Sequence, residues 1–251
     1  MQRSAADWGG NLAAFALTIL LNVLSNALPI NGQTMPEISA KYPSLFTPAG
    51  FAFAIWGLIY LGLLVFVIWQ ALPAQRRDER LADISVWFKV SCVANAVWIV
   101  VWHYDLLALS FIVILIILAM LILIYRRLIS EIGRATFAEH LILYAPFSLY
   151  TGWISIATIA NLSAFQTGNG WDDVGLTAVQ WTLVKLALAG AIGTTIVLKY
   201  RDVVFAGVVA WAAYGISVMQ SATPQVAGAA VTLSLLALLL VARDAIVRLS
   251  D

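Results

Sequence analysis

Phe46-Thr-Pro-Ala-Gly-Phe-Ala-Phe-Ala-Ile-Trp56-Gly-Leu-Ile-Tyr60 leaves a polar loop through Pro48 and enters an apolar run that reaches Ala71. Leu, Ile and Val would suffice for burial in lipid, so an aromatic residue with a polar atom inside the run carries information. Trp56 falls about eight residues past Pro48, or ~12 Å along a helix rising 1.5 Å per residue, which is below an interfacial aromatic belt. Its indole N–H has no water to bond at that depth and must face protein or a ligand. Two readings stand at this point: a tryptophan that packs helices together, and one that walls a binding site.

The composition around this stretch defines the class. Of 251 residues, 62 % are hydrophobic and only 11 % charged, and the mean hydropathy is +0.92. Both figures lie far from those of a soluble domain, so the expected fold is all-α, a polytopic membrane helix bundle. The 14 basic and 13 acidic residues leave a net charge of +1, which provides no basic surface for nucleic acid and no acidic tail. Cys92 is the single cysteine and His103 and His140 are the only histidines, so neither an internal disulfide nor a metal site is expected. The expected partners are the lipid bilayer, a hydrophobic small molecule, and a second copy or another membrane protein. No cofactor is required by any residue pattern, and no catalytic residue is assigned.

Working outward, Asn11 to Leu28 is the first apolar run. Arg3 before it and Ser25-Asn26-Ala27 near its end resemble a signal peptide, and the run is read as an uncleaved helix. Ile30 to Ala49 holds Pro36, Pro43 and Pro48, too broken to span but long enough to cover a neighbouring opening. The Trp56 helix ends at Pro73 and the charged turn Arg76 to Arg80. Further runs cover Ile84 to Trp102, Leu106 to Tyr125 and Glu139 to Leu162, followed by a Gly/Asn/Asp-rich loop from Gln166 to Gly175. Three more follow, Leu176 to Leu198, Val203 to about Ala222 and Val226 to about Val247. Each approaches the ~20 residues that cross a bilayer core, giving about eight spans in two parts, residues 1–163 and 176–251.

Charge placement gives the expected orientation. With the N-terminus in the cytoplasm, that side receives Arg3, Arg76, Arg77, Arg80, Arg126, Arg127, Arg134, Lys199, Arg201, Arg243 and Arg248, and the other side only Lys41. Both termini are therefore expected in the cytoplasm, in the cell (inner) membrane.

Six of the ten tryptophans fall near predicted span ends, where aromatic belts are ordinary; Trp56, Trp98, Trp153 and Trp211 do not. Trp56, Trp98 and Trp153 share the outer half of the membrane by residue count, with Tyr60, Asn95, Tyr150, Ser155 and Asn161 around them. Aromatic walls with a few hydrogen-bonding groups suit a flat apolar ligand. The same residues would also tie helices together.

The fifth span reads Trp153-Ile-Ser-Ile-Ala-Thr-Ile-Ala-Asn161 and resembles the Trp-x-Ser-Phe-Ala-Thr-x-x-Asn signature of the TspO/MBR family, the tryptophan-rich sensory proteins related to the mitochondrial translocator protein. Trp56-Gly-Leu-Ile-Tyr60 is similar to that family's Trp-Thr-Leu-Leu-Tyr, and Asn95-Ala-Val-Trp98 to its Asn-Leu-Ala-Trp. The resemblance covers about Asn11 to Leu162 and implies a cavity roofed by the first loop that binds tetrapyrroles, such as a porphyrin or haem-like pigment, or sterol-like lipids. It makes Trp56, Tyr60, Asn95, Trp98 and Trp153 the lining candidates, joined by their neighbours Tyr150 and Asn161. This chain departs from the pattern at Ala54 and Leu149, where the family carries proline, and at Gly50, where it carries an aromatic; Pro146 is displaced by almost a turn.

The three C-terminal helices lie outside the five-helix pattern and carry their own signals. Ala189-x-x-x-Gly193, Gly190-x-x-x-Thr194 and Gly207-x-x-x-Trp211-x-x-x-Gly215 set small residues on helix faces for close packing. Lys185 falls inside a span with no acidic residue at its depth, which marks it as a functional candidate, whereas Lys89 is placed to snorkel to the cytoplasm. Three function classes follow: a receptor or transporter for a hydrophobic planar ligand, an accessory subunit of a larger membrane complex, and an enzyme acting on a tetrapyrrole. The last is disfavoured because no paired nucleophile and base or deep intramembrane carboxylate is visible.

Overall fold

The computed structural model describes residues 2–28 and 30–250; the side chains of Pro36 and Arg248, both named above, lie outside the described residues. All regular structure among these residues is helical. The helices are α1 (Ala5–Ala27), α2 (Met35–Lys41), α3 (Ile55–Trp69), α4 (Glu79–His103), α5 (Leu107–Ile129), α6 (Phe137–Glu139), α7 (Ala145–Gly168), α8 (Ala178–Tyr200), α9 (Val203–Met219) and α10 (Pro224–Ser250). A 3-10 turn, Gly50–Ala54, leads into α3, and a π turn, His140–Tyr144, joins α6 to α7.

Seven of these segments are long and apolar enough to cross a membrane, and the eighth expected span, α9, is apolar but only 17 residues long. Seventeen residues is the lower limit for a spanning helix. The run is cut short because Gln220 and Thr223 turn the chain: Gln220 N–H bonds Ile216 O, and Thr223 N–H bonds Gln220 O. The first connection also holds more order than its prolines suggest. Pro36 is the second residue of α2, where a missing N–H leaves no intrahelical bond unmade.

Local chemistry sets the helix ends. Thr136 and Thr177 begin their helices with reciprocal capping boxes to Glu139 and Gln180, each satisfying two otherwise orphaned donors. Asp202 starts α9 by accepting from Val204 and Phe205 N–H. The π turn sits immediately ahead of Pro146, whose ring crowds the carbonyl four residues earlier and supplies no N–H; widening the helix by one residue per turn there relieves both.

The chain forms two compact units, one comprising the residues up to Ile38 with Trp56–Thr151, the other Ser39–Ile55 with Gly152 onward. In the first unit α4 packs on both α1 and α5. Its core includes Phe66, Phe88 and Phe147, fully buried and arranged edge to face at 4.8–5.9 Å, the favoured geometry of aromatic pairs. At one end the Arg3 guanidinium donates to the Gln70 carbonyl (2.9 Å) and bonds Asp7, while Asn11 Nδ2 donates to Gln70 Oε1 (3.2 Å). Arg80 pairs with Asp78 and Glu139, and Arg127 with Asp83 and Glu131.

In the second unit α8, α9 and α10 pack together, and the chain before α3 docks on α9. Ala49 N–H donates to Gly215 O at 2.9 Å, and Trp211 Nε1 donates to Ala52 O at 2.9 Å. A Cβ on Gly215 would stand 2.9 Å from Ala52 Cβ and 3.1 Å from Pro48 Cβ, so the approach requires glycine. Gly190 meets Leu233, and Gly193 meets Val209, which are the close helix contacts that the small-residue spacings anticipate.

Candidate functional site

Four candidate residues meet in the first unit around Asn22 of α1, which the sequence reading passed over. The Tyr60 hydroxyl donates to Asn22 Oδ1 (2.7 Å). Asn22 Nδ2 donates to the Thr18 carbonyl (2.9 Å) and to Asn95 Oδ1 (3.1 Å), and Asn95 Nδ2 donates to the Tyr150 hydroxyl (3.1 Å).

The direction of this chain follows from one backbone group. A carbonyl only accepts, so the Asn22 atom facing Thr18 O is the amide nitrogen. The same nitrogen faces Asn95, which must present its oxygen and therefore turns its own NH₂ towards Tyr150. Tyr150 accepts, and its own hydroxyl proton has no acceptor among the described residues. Thr18 is tied in turn to α4 through its hydroxyl, which donates to Cys92 O at 3.0 Å.

Trp56 covers this chain. Its ring stacks on Tyr60 at 5.2 Å and 22° and meets Tyr150 edge-on at 6.0 Å. Asn95 and Tyr150 are each 2 % exposed, whereas Trp56, Tyr60 and Asn22 are half-buried. The arrangement is a half-open aromatic face backed by buried polar groups. Trp98, one turn beyond Asn95, stacks on Trp102 at 5.6 Å and 14°, and its indole N–H is buried without an acceptor. Trp102, near the end of its span as expected, is buried. Asn31 and Gln33 side chains donate to the His103 carbonyl (3.0 and 3.3 Å) and close the end of α4 beside it.

The other candidates belong to the second unit. Trp153 is 2 % exposed and meets Phe53 edge-on at 6.0 Å and 87°; Asn161 is buried on the same helix, α7. Lys185 is 7 % exposed and lines a small recess of about 40 Å³. Trp211 is committed to Ala52 and packs on Phe51 at 5.3 Å. A larger apolar cleft of about 390 Å³ opens among α8, α9 and α10, bordered by Leu183, Leu186, Gly190, Leu233 and Leu236.

Two residues were missed for different reasons. Asn22 had a signal, because Thr18, Asn22 and Ser25 are spaced at i, i+4 and i+7 and so form a polar stripe on one face of an apolar helix. Phe53 had none, since nothing local distinguishes it from Phe51.

The apolar helices define an integral, multi-pass membrane protein, built around deep tryptophans and asparagines. The chain belongs to the TSPO-like protein family, whose model matches residues 8–243. That match runs well past the Asn11 to Leu162 motifs and takes in α8, α9 and most of α10. No curated protein and no solved structure gives a significant match.

Proposed function

We propose that the protein is a membrane receptor or transporter that binds a flat hydrophobic ligand, of the tetrapyrrole or sterol-like class, against Trp56 and Tyr60 in its first unit. The observation that carries this reading is the directional chain Tyr60–Asn22–Asn95–Tyr150 beneath a half-open aromatic face. Stacking on Trp56 supplies affinity that is indifferent to the ligand's substituents. The uncommitted donors, Tyr150 O–H and the Trp98 indole N–H, favour a ligand with acceptor oxygens on its edge, because a buried donor left unpaired costs about 1–3 kcal/mol.

Titration of protoporphyrin into the purified full-length protein, followed by intrinsic fluorescence, tests this. Saturable quenching is expected, weakened by about 1–3 kcal/mol in Asn95→Leu and Tyr150→Phe and unchanged in Trp171→Phe, whose ring is exposed. Equal affinity in all the variants, or quenching that never saturates, would overturn the reading.

A further inference from the structure

The Lys185 recess carries chemistry that the aromatic face does not use. It lies wholly within the second unit and is lined by Lys185 and Thr182 of α8, Ser163 and Thr167 of α7, Asp172 of the following loop, and Leu45 of the first connection. Lys185 stands seven residues after Ala178, the first residue of α8, and so ~10 Å along the helix. Although it is 7 % exposed, its ammonium has no hydrogen-bond acceptor or ion-pair partner within reach among the described residues. Asp172 is the charge that faces it, from beyond ion-pair distance.

The Thr182, Ser163 and Thr167 hydroxyl protons are already committed. Thr182 donates to Ala178 O (2.8 Å), Ser163 to Ile159 O (2.9 Å) and Thr167 to Asp172 Oδ2 (3.3 Å). Ser44 also lines the recess, and its Oγ accepts from Phe46 N–H at 3.1 Å, so the donors available to an incoming group are the Ser44 O–H and the Lys185 ammonium, the charged one, with up to three N–H bonds to give. An ammonium carried on a largely buried side chain and left without a partner is stabilised by an anionic acceptor. About 40 Å³ accommodates a head of a few atoms and excludes a ring system. Asp172 opposes a second negative charge, and Lys185 belongs to an apolar helix long enough to span, which favours a head group carried on a hydrocarbon tail.

We propose that this recess binds the carboxylate of a membrane-soluble monocarboxylic acid, with Lys185 as its anchor. The site is independent of the aromatic face in the first unit.

Equilibrium binding of dodecanoate, dodecanol and dodecyl phosphate to the full-length protein in nanodiscs, at a pH where the acid is ionised, tests the assignment. Dodecanoate is expected to bind at least about tenfold tighter than dodecanol, as one charge-assisted hydrogen bond warrants, and tighter than the phosphate. Lys185→Met should abolish the preference for acid over alcohol and Lys185→Arg should keep it. Asp172→Asn, which keeps a side-chain oxygen to accept from Thr167, should strengthen dodecanoate binding severalfold by removing the opposing charge. Equal binding of acid and alcohol to the unaltered protein, preference for the phosphate, or unchanged or weaker dodecanoate binding in Asp172→Asn would each overturn the proposal.

Discussion

The Tyr60 hydroxyl donates to Asn22 Oδ1 at 2.7 Å, joining α3 to α1 across 38 residues of sequence. Asn22 also faces α4 through Asn95, so one amide holds three helices in register. In an apolar surround such a group is costly to leave half-satisfied.

Asn22→Leu should therefore destabilise the protein more than Tyr60→Phe. The first strands an acceptor and a donor on two helices, and about 1–3 kcal/mol is expected; the second removes one bond from a half-buried group, about 0.5–1.5 kcal/mol. Thermal unfolding in detergent gives both values. A double variant whose loss equals the sum of the two would show that the chain is not acting as a unit.

Phe147→Ala removes the ring that contacts both Phe66 and Phe88. A loss of about 3–5 kcal/mol is expected for truncating a fully buried phenylalanine. Phe137→Ala, at a residue 79 % exposed, should change the midpoint little. Comparable shifts for the two would show that the phenyl cluster is not a stabilising core.

Gly215→Ala should weaken the docking of the first connection on α9, because its Cβ would enter the space of Ala52 and Pro48. Trp211→Phe keeps most of the ring and loses the bond to Ala52 O, which is worth about 0.5–1.5 kcal/mol. Faster proteolysis between Ser39 and Ala49 is the readout for both, and unchanged cleavage in Gly215→Ala would contradict the close contact.

Orientation is tested by labelling. The distribution of lysine and arginine predicts cytoplasmic termini and an external Gln166 to Gly175 loop. A cysteine introduced at Gly168 of the Cys92→Ala protein should react with an impermeant maleimide in intact cells, whereas tags at either terminus should be shielded. Termini found on opposite sides would require α9, with its 17 residues, not to cross.

Much of this architecture was legible because lipid makes apolar runs conspicuous: α1, α3, α4, α5, α7, α8 and α10 all announce themselves by length and hydropathy. The span ends were less legible, since caps such as Thr136 and Thr177 are ordinary polar residues until their partners three positions on are considered. Trp56, Tyr60, Asn95 and Tyr150 could be chosen by depth and motif, but the group that unites them, Asn22, was marked only by its place in the Thr18, Asn22 and Ser25 stripe, which does not say that its partners lie on α3 and α4. Trp102 lies near the end of its span as its position in the sequence indicates, but that position says nothing about the stacking partner four residues before it. Lys185 was visible as an intramembrane charge, while its surroundings are drawn from three separate segments, a juxtaposition that only the fold creates.

The bond from Trp211 to Ala52 spans 159 residues, and this has a consequence for how the protein is made. The ribosome finishes the Ser39 to Ile55 segment long before α9 exists, and at 5–20 residues per second the interval is roughly 10–30 s. During that time Ala52 O and the Ala49 N–H lack their final partners. Nascent chains arrested after α7 should therefore keep this segment sensitive to protease, and release of α9 should protect it, so the first connection is among the last parts of the molecule to mature.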